Sequence, residues 1–206
     1  ALGVLCATGM IKGLLALLTT LNLLSATSGT YAILYAIADS FFYFFPILLG
    51  YTTAKKFNSN IFIGMTIGAS LVYPALAGLN SGEPIATLFK ETFIESAIHI
   101  KFMGIPVILM TYSSSVIPIV LSVIFSSKVK KFFNKVIPSV VKTFLVPFCT
   151  LLIVVPLTFL VIGPVATWAG QLLGLVTSKV YSLSPLIAGA FIGGFWQVFV
   201  IFGLHW

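Results

Sequence analysis

Long runs of apolar residues, separated by short polar stretches, dominate the pattern of the chain. Leu, Ile, Ala and Phe fill these runs continuously, without the alternation of apolar and polar positions that a membrane-spanning β-strand needs. An α-helix of about 20 apolar residues crosses the hydrocarbon core of a bilayer. The pattern therefore predicts an all-α, polytopic transmembrane protein of about six spans, at roughly 1–24, 31–54, 61–77, 102–125, 143–163 and 183–206.

Segment 126–142 has a different, amphipathic pattern. Its apolar residues recur at helical spacing, whereas its lysines fall on the opposite face: Val129, Phe132, Phe133, Val136, Ile137, Val140 and Val141 against Lys128, Lys131 and Lys135. This predicts a cytoplasmic amphipathic linker helix that lies in the membrane plane and is kinked or interrupted at Pro138. We expect the linker to join two membrane parts, 1–125 and 143–206.

The composition agrees with lipid as the main solvent. The 206 residues are 59% hydrophobic and 7% charged, and their mean hydropathy is +1.16, whereas soluble domains carry about 25% charged residues. The net charge of +7 comes from lysines that border apolar runs, and arginine is absent, which argues against a nucleic-acid partner. The positive-inside rule places 55–60 and 126–142 in the cytoplasm and the acidic segment 78–101 outside.

Proline and glycine interrupt the predicted spans. Seven prolines fall within or beside them: Pro46, Pro74, Pro106, Pro118, Pro147, Pro156 and Pro185. Each proline removes a backbone donor and frees a carbonyl, and in hydrocarbon such groups must face protein or water. This number favours broken helices around a wet cavity, as in transporters. Gly64 and Gly68 form a G-x-x-x-G pattern that predicts a close helix contact.

Three polar sites within apolar surroundings are candidates for chemistry. Asp39 is the acid deepest in a predicted span, and it can contact substrate or a proton or can join two helices by a hydrogen bond. His99 lies at a predicted interface beside Lys101, where it can contact substrate or simply meet water. The serines of "TYSSSVIP", Ser113 to Ser115, can bend the helix before Pro118 or can face a polar cavity.

The last span, "LSPLIAGAFIGGFWQVFVIFGLHW", has the densest set of candidate binding residues. Gln197 and His205 are eight residues apart and therefore share one helical face. They offer hydrogen-bond donors and acceptors, and Trp196 and Trp206 add flat apolar rings. A sugar requires this combination, although an aromatic-rich span is also typical of packing against lipid.

The sequence contains no recognisable catalytic set. We find no nucleophile–base pair, phosphate-binding loop, metal-ligand spacing or paired carboxylates, and so we predict no catalytic residue, no metal site and no cofactor. Cys6 and Cys149 lie in apolar runs without paired spacing, as expected for buried small residues.

Five stretches together resemble the membrane permease component, enzyme IIC, of the phosphoenolpyruvate-dependent sugar phosphotransferase system. They are "GMIKGLLALL", "SGTYAILYAIADSFFYFFPILLGYTTAKKF", "GIPVILMTYSSSVIPIVL", "FLVPFCTLLIVVPLTFLVIGPV" and "SPLIAGAFIGGFWQVFVIFGLHW". The similarity runs nearly end to end. It is strongest to the branch for β-glucosides, sucrose and trehalose.

The resemblance implies a phosphotransferase that imports a sugar across the bacterial inner membrane and phosphorylates it. A cysteine on enzyme IIB would supply the phosphoryl group, after receiving it from a histidine on enzyme IIA. It also implies a homodimer, with a scaffold and dimer-interface part before the linker and a transport part after it. By the family pattern His205 contacts the sugar near the phosphorylation site, and Gln197 stands where relatives carry a polar sugar contact.

One departure from the family is large. Relatives continue past "GLHW" into further spans and a Gly-Ile-Thr-Glu motif, and this sequence includes neither that motif nor the phosphoryl-carrying cysteine. We therefore expect the chain to be a segment of a longer protein that neither transports nor phosphorylates alone. The alternative function is a secondary sugar transporter driven by protons through Asp39 or His99.

Overall fold

The computed structural model describes residues 2–80, 82–89, 92, 95–183, 189–190 and 193–194. Within them, helices α1 to α5 span Leu2–Thr20, Gly29–Tyr43, Phe45–Lys56, Ile61–Leu71 and Pro74–Leu79. Strands β1 to β4 follow at Ala86–Leu88, Ser96–Ile98, Ile100–Phe102 and Ile105–Val107. Helices α6 (Ile117–Val136), α7 (Lys142–Leu157) and α8 (Gly163–Leu183) complete the described chain, with a π-helical segment, Thr158–Ile162, between α7 and α8.

The chain divides into two compact units, residues 1–45 and 46–206. In the first unit, α1 packs on α2. The Ser28 hydroxyl oxygen fixes the start of α2 because it accepts a hydrogen bond of 3.1 Å from the Tyr31 backbone N–H.

The second unit has its own apolar core, formed mainly by α4, α6, α7 and the π-helical segment. Ile67, Ile119, Val123 and Val154 are fully buried there. Two antiparallel hairpins, β1–β2 and β3–β4, supply further core residues such as Val107.

Glycines allow α3 and α4 to approach at backbone distance. A Cβ atom on Gly50 would overlap the Gly64 carbonyl group, and one on Gly68 would overlap the carbonyl group of Pro46. The close contact predicted from Gly64 and Gly68 is therefore confirmed, and small residues serve here as they do between transmembrane helices generally.

Four helical stretches among the described residues are long and apolar enough to cross a membrane. They are Gly3–Thr20, Gly29–Lys56, Ile61–Leu79 and Lys142–Lys179. The first three match the first three predicted spans, whereas the fourth contains the fifth predicted span, 143–163, and continues well beyond it. Large apolar side chains such as Phe62 and Phe144 are exposed on them, as expected for surfaces that face acyl chains. The predicted all-α membrane class is confirmed in its essentials, and the small strands were not foreseen.

Helix breaks occur at several of the prolines. Pro46, Pro74 and Pro118 each occupy the first or second position of a helix, whereas Pro147 and Pro156 lie inside α7. The π-helical segment begins two residues after Pro156. Pro185 lies outside the described residues.

The predicted span at 102–125 is wrong over its first half. Residues 100–107 form the β3–β4 hairpin, and α6 begins only at Ile117. Met103 and Gly104, with φ of 49° and 84°, form its two-residue turn, because both central positions of such a turn need positive φ. The apolar composition of the segment favoured a membrane span, and so the turn at Met103 and Gly104 was not predicted.

Residues 126–142 do not form a helix of their own, although the helix is interrupted near Pro138 as predicted. Residues 126–136 continue α6 without interruption, because no proline occurs between Pro118 and Pro138. The connection to α7 is the short segment 137–141. The lysine periodicity that we assigned to a flat helix belongs to the C-terminal half of α6. Residues 184–188, 191–192 and 195–206 of the predicted sixth span lie outside the described residues.

The glycine contact between α3 and α4 gives a direct test of the fold. Gly64→Ala places a methyl group against the Gly50 backbone, and overpacking of this kind costs about 1–3 kcal/mol. We expect a lower midpoint of thermal unfolding for the detergent-solubilised full-length protein. Gly78→Ala is the matched control, since a Cβ there meets open space. Equal midpoints for the two variants would contradict the contact.

Candidate functional site

A groove in the second unit, lined by hydroxyl-bearing and apolar residues, is a candidate site among the described residues. It lies between the loop and helix start at 111–118 and one face of α8, and its volume is about 800 Å³. This volume falls in the range of small-molecule sites, which is about 300–1,000 Å³. We call it the α6–α8 groove.

Hydroxyl groups are the common feature of the groove lining. Seven side chains carry them: Thr111, Ser113, Ser114, Ser115, Thr167, Thr177 and Ser178. Gln171 adds an amide, and the remaining lining is apolar or glycine. No charged side chain lines the groove within the part of the chain that the structure describes.

The serine segment, residues 113–115, forms one wall of the groove. It is not helical, because α6 begins only at Ile117. Ser114 has a φ of 62°, in the left-handed region that non-glycine residues rarely adopt. The Ser115 hydroxyl donates to the Tyr112 carbonyl at 2.6 Å, and the Ser115 N–H donates to the same oxygen at 3.1 Å. These local bonds satisfy the turn and favour it over helix. Both roles left open for the serines are seen: Ser115 bonds back to a carbonyl, and the three serines line the groove.

The opposite wall is a single helical face of α8. Ala166, Gly170, Gly174 and Thr177 recur at intervals of three and four residues along it, and Thr167, Gln171 and Ser178 lie beside them. At 1.5 Å per residue, the 12 steps from Ala166 to Ser178 give the groove a length of about 18 Å.

The start of α6 also borders the groove. Val116, Ile117 and Pro118 line it, and the N-cap residue Val116 makes no side-chain capping bond. The first turn of a helix has N–H groups without intrahelical acceptors. The first turn of α6 therefore lies beside the serine hydroxyls of the groove.

Buried contacts hold the two walls together. The Tyr112 ring packs edge-on against Phe159 at a centroid distance of 5.7 Å, and its hydroxyl lies against Gly163, where a Cβ would overlap it. Deeper in the core, Thr158 donates to the Ser122 hydroxyl at 2.9 Å, and Ser122 donates to the Pro118 carbonyl at 2.7 Å. The π-helical segment is thereby fixed to the start of α6.

In the first unit, Asp39 is paired. Its carboxylate accepts from the Lys12 ammonium at 2.7 Å, and the Lys12 nitrogen also lies 5.6 Å from the centroids of the Tyr35 and Phe42 rings. The pair joins α1 to α2, and both residues lie within membrane-span candidates. The structure therefore matches the helix-joining role considered for Asp39, with Lys12 as its partner.

His99 lies between β2 and β3 and is half-buried. Among the described residues its Nδ1 atom has no hydrogen-bond partner. The nearby hairpin meets α8 through Trp168, whose ring nitrogen donates to the Ser96 hydroxyl at 3.3 Å and whose ring meets Phe89 edge-on.

The residues predicted to contact sugar in the last span lie outside the described residues. These are Trp196, Gln197, His205 and Trp206. The groove residues of α8, in contrast, were missed by sequence reasoning. A signal was available in "GPVATWAGQLLGLVTSKV", where Thr167, Gln171 and Ser178 recur at intervals of four and seven within an otherwise apolar helix.

Comparison with known proteins assigns the family. The family model described as "Phosphotransferase system, EIIC" matches residues 1–206. The chain is 69% identical over 205 residues to the PTS system beta-glucoside-specific EIIBCA component of Halalkalibacterium halodurans. This match covers 100% of the chain and 32% of that relative. The chain is also 45% identical to the protein of the same name from Dickeya chrysanthemi. That match covers 99% of the chain and 31% of the relative.

A sucrose-specific relative is also similar. The PTS system sucrose-specific EIIBC component of Klebsiella pneumoniae is 32% identical over 199 residues, with 97% of the chain and 41% of that protein covered. No solved structure gives a significant match. The chain spans about a third of the length of the beta-glucoside-specific relatives named above. Because the family model covers every residue, this chain belongs to the EIIC family of the phosphotransferase system.

Proposed function

We propose that this chain is the sugar permease part of a membrane protein that imports a β-glucoside-type sugar and phosphorylates it. The observation that carries the proposal is the 69% identity, over the full chain, to a relative named as beta-glucoside-specific. The hydroxyl-lined groove supports it, because it offers a polar site within a helical membrane protein.

The reaction requires little covalent chemistry from this chain. A sugar hydroxyl attacks the phosphorus of a phosphocysteine on enzyme IIB; the O–P bond forms, the S–P bond breaks, and the hydroxyl proton is released. The permease contributes position and exclusion of water around the reacting hydroxyl. Enzyme IIA restores the phosphoryl group on IIB, and the relatives' names, which combine EIIB, EIIC and EIIA, support these partners.

The sugar contacts proposed for the last span complete this picture. His205 and Gln197 would bond the sugar hydroxyls, and Trp196 and Trp206 would cover its apolar face. The larger organisation is proposed on the family pattern: a homodimer in the bacterial inner membrane, with residues 1–125 as scaffold and 143–206 as the start of the transport part. The connection between them is the C-terminal half of α6 with residues 137–141.

Vesicles that contain the full-length protein test the proposal against a proton-driven transporter. We expect uptake to require phosphoenolpyruvate and the soluble carriers, and the sugar to arrive phosphorylated, because the phosphoryl group drives the cycle. The products are separated by thin-layer chromatography. Free sugar inside, lost when an uncoupler is added, would contradict group translocation.

His205→Ala tests the sugar contact. We expect uptake and phosphorylation to fall about five- to hundredfold, since an unpaired buried group costs about 1–3 kcal/mol. His99→Ala is the matched control, because His99 lies at a hairpin rather than in the last span, and it should retain most uptake. Near-normal uptake by His205→Ala would refute the assignment.

The Lys12–Asp39 pair tests whether Asp39 carries protons. A lone charge at the centre of a span costs about 2.5–3.5 kcal/mol, and so either Lys12→Met or Asp39→Leu alone should lower the amount of folded protein. The double variant removes both charges and should recover folded protein and uptake. If the double variant folds but shows no uptake, the result would instead assign Asp39 a role in transport.

A further inference from the structure

We propose that the α6–α8 groove is itself a glycoside-binding site, built from residues other than those proposed to contact sugar in the last span. This inference rests on the proposed function and extends it, because it adds residues that the family match does not assign. The occupant is a neutral glycoside with an apolar face or aglycone. Ser113, Gln171 and Thr177 are its proposed polar contacts.

The lining selects the chemical class of the ligand. Seven hydroxyls and one amide provide both donors and acceptors, and no described residue of the lining carries a charge. A metal ion, an amino acid or a phosphate would need opposite charges for tight binding in this setting. A polyhydroxylated neutral molecule needs only what the groove presents.

Several of these polar groups are available to a ligand. Among the described residues, the side chains of Ser113, Gln171 and Thr177 have no hydrogen-bond partner, whereas Ser115 and Thr167 donate to the Tyr112 and Gly163 carbonyls. Gln171 is exposed, and Ser113 and Thr177 are half-buried, so that these groups can meet water or a ligand. A sugar hydroxyl can replace the waters that such groups otherwise hold.

The apolar part of the lining completes the match to a glycoside. Val116, Ile117, Ala166 and Leu173 lie among the polar residues and can cover the C–H face of a sugar ring or an apolar aglycone. The groove length of about 18 Å exceeds that of one ring. Its volume of about 800 Å³ admits a ring together with its aglycone.

Binding of an aryl β-glucoside to the purified full-length protein, measured by calorimetry without a phosphoryl donor, tests the inference. We expect Gln171→Leu and Ser113→Ala to raise the dissociation constant about fivefold or more, equivalent to roughly 1 kcal/mol. The KM for phosphorylation should rise in parallel, with an unchanged unfolding midpoint. Ser182→Ala, on α8 but outside the groove lining, is the matched control.

Thr177→Val keeps the shape of the side chain but removes its hydroxyl. Its dissociation constant for the glycoside is the measurement to use if the other two variants fail to fold. Unchanged dissociation constants in all folded groove variants would overturn the inference, as would a change in the unfolding midpoint without a change in binding. The proposed function fails separately: wild-type protein that binds the glycoside but yields no sugar phosphate would refute group translocation and leave the groove assignment standing.

Discussion

The requirement that backbone polar groups find partners away from water governs this structure. In hydrocarbon an unpaired N–H or carbonyl group is costly, and helices satisfy the requirement within themselves. Where the chain breaks a helix, it must bury the break or keep it wet. The break before α6 meets this condition by local bonds from Ser115 to the Tyr112 carbonyl and by the polar groove beside it. The site is thus a consequence of how the chain leaves regular structure.

The same constraint shapes the contacts between helices. Lipid provides no hydrophobic force that draws helices together, so small residues and polar pairs must do so. Gly50 and Gly64 allow α3 and α4 to touch at the backbone, whereas the Lys12–Asp39 pair joins α1 and α2. Buried hydroxyls follow the rule as well, since Ser122 and Thr150 donate to carbonyls four residues earlier in their own helices.

The sequence predicted the apolar helices and the G-x-x-x-G contact, because length, hydropathy and small-residue spacing are local signals. It failed at 102–116, where the turn at Met103 and Gly104 and the serine segment override an apolar composition. At 126–142 it misplaced the start of the helix, since periodicity identifies a helical face but not where that helix begins. The serines were recognised as candidates, yet Gln171 and Thr177 were not, because only the fold brings α8 beside them.

The face of α8 toward the groove is expected to meet water, whereas exposed apolar residues such as Leu172 and Val176 are expected to meet lipid. The test places single cysteines in the full-length protein in membranes and measures their labelling by a membrane-impermeant maleimide. Two cysteines replace the groove residues Gln171 and Thr177, and two replace the exposed apolar residues Leu172 and Val176. We expect rapid labelling at 171 and 177, slowed by added glycoside, and little labelling at 172 and 176. Equal labelling at all four positions, or none at 171 and 177, would contradict it.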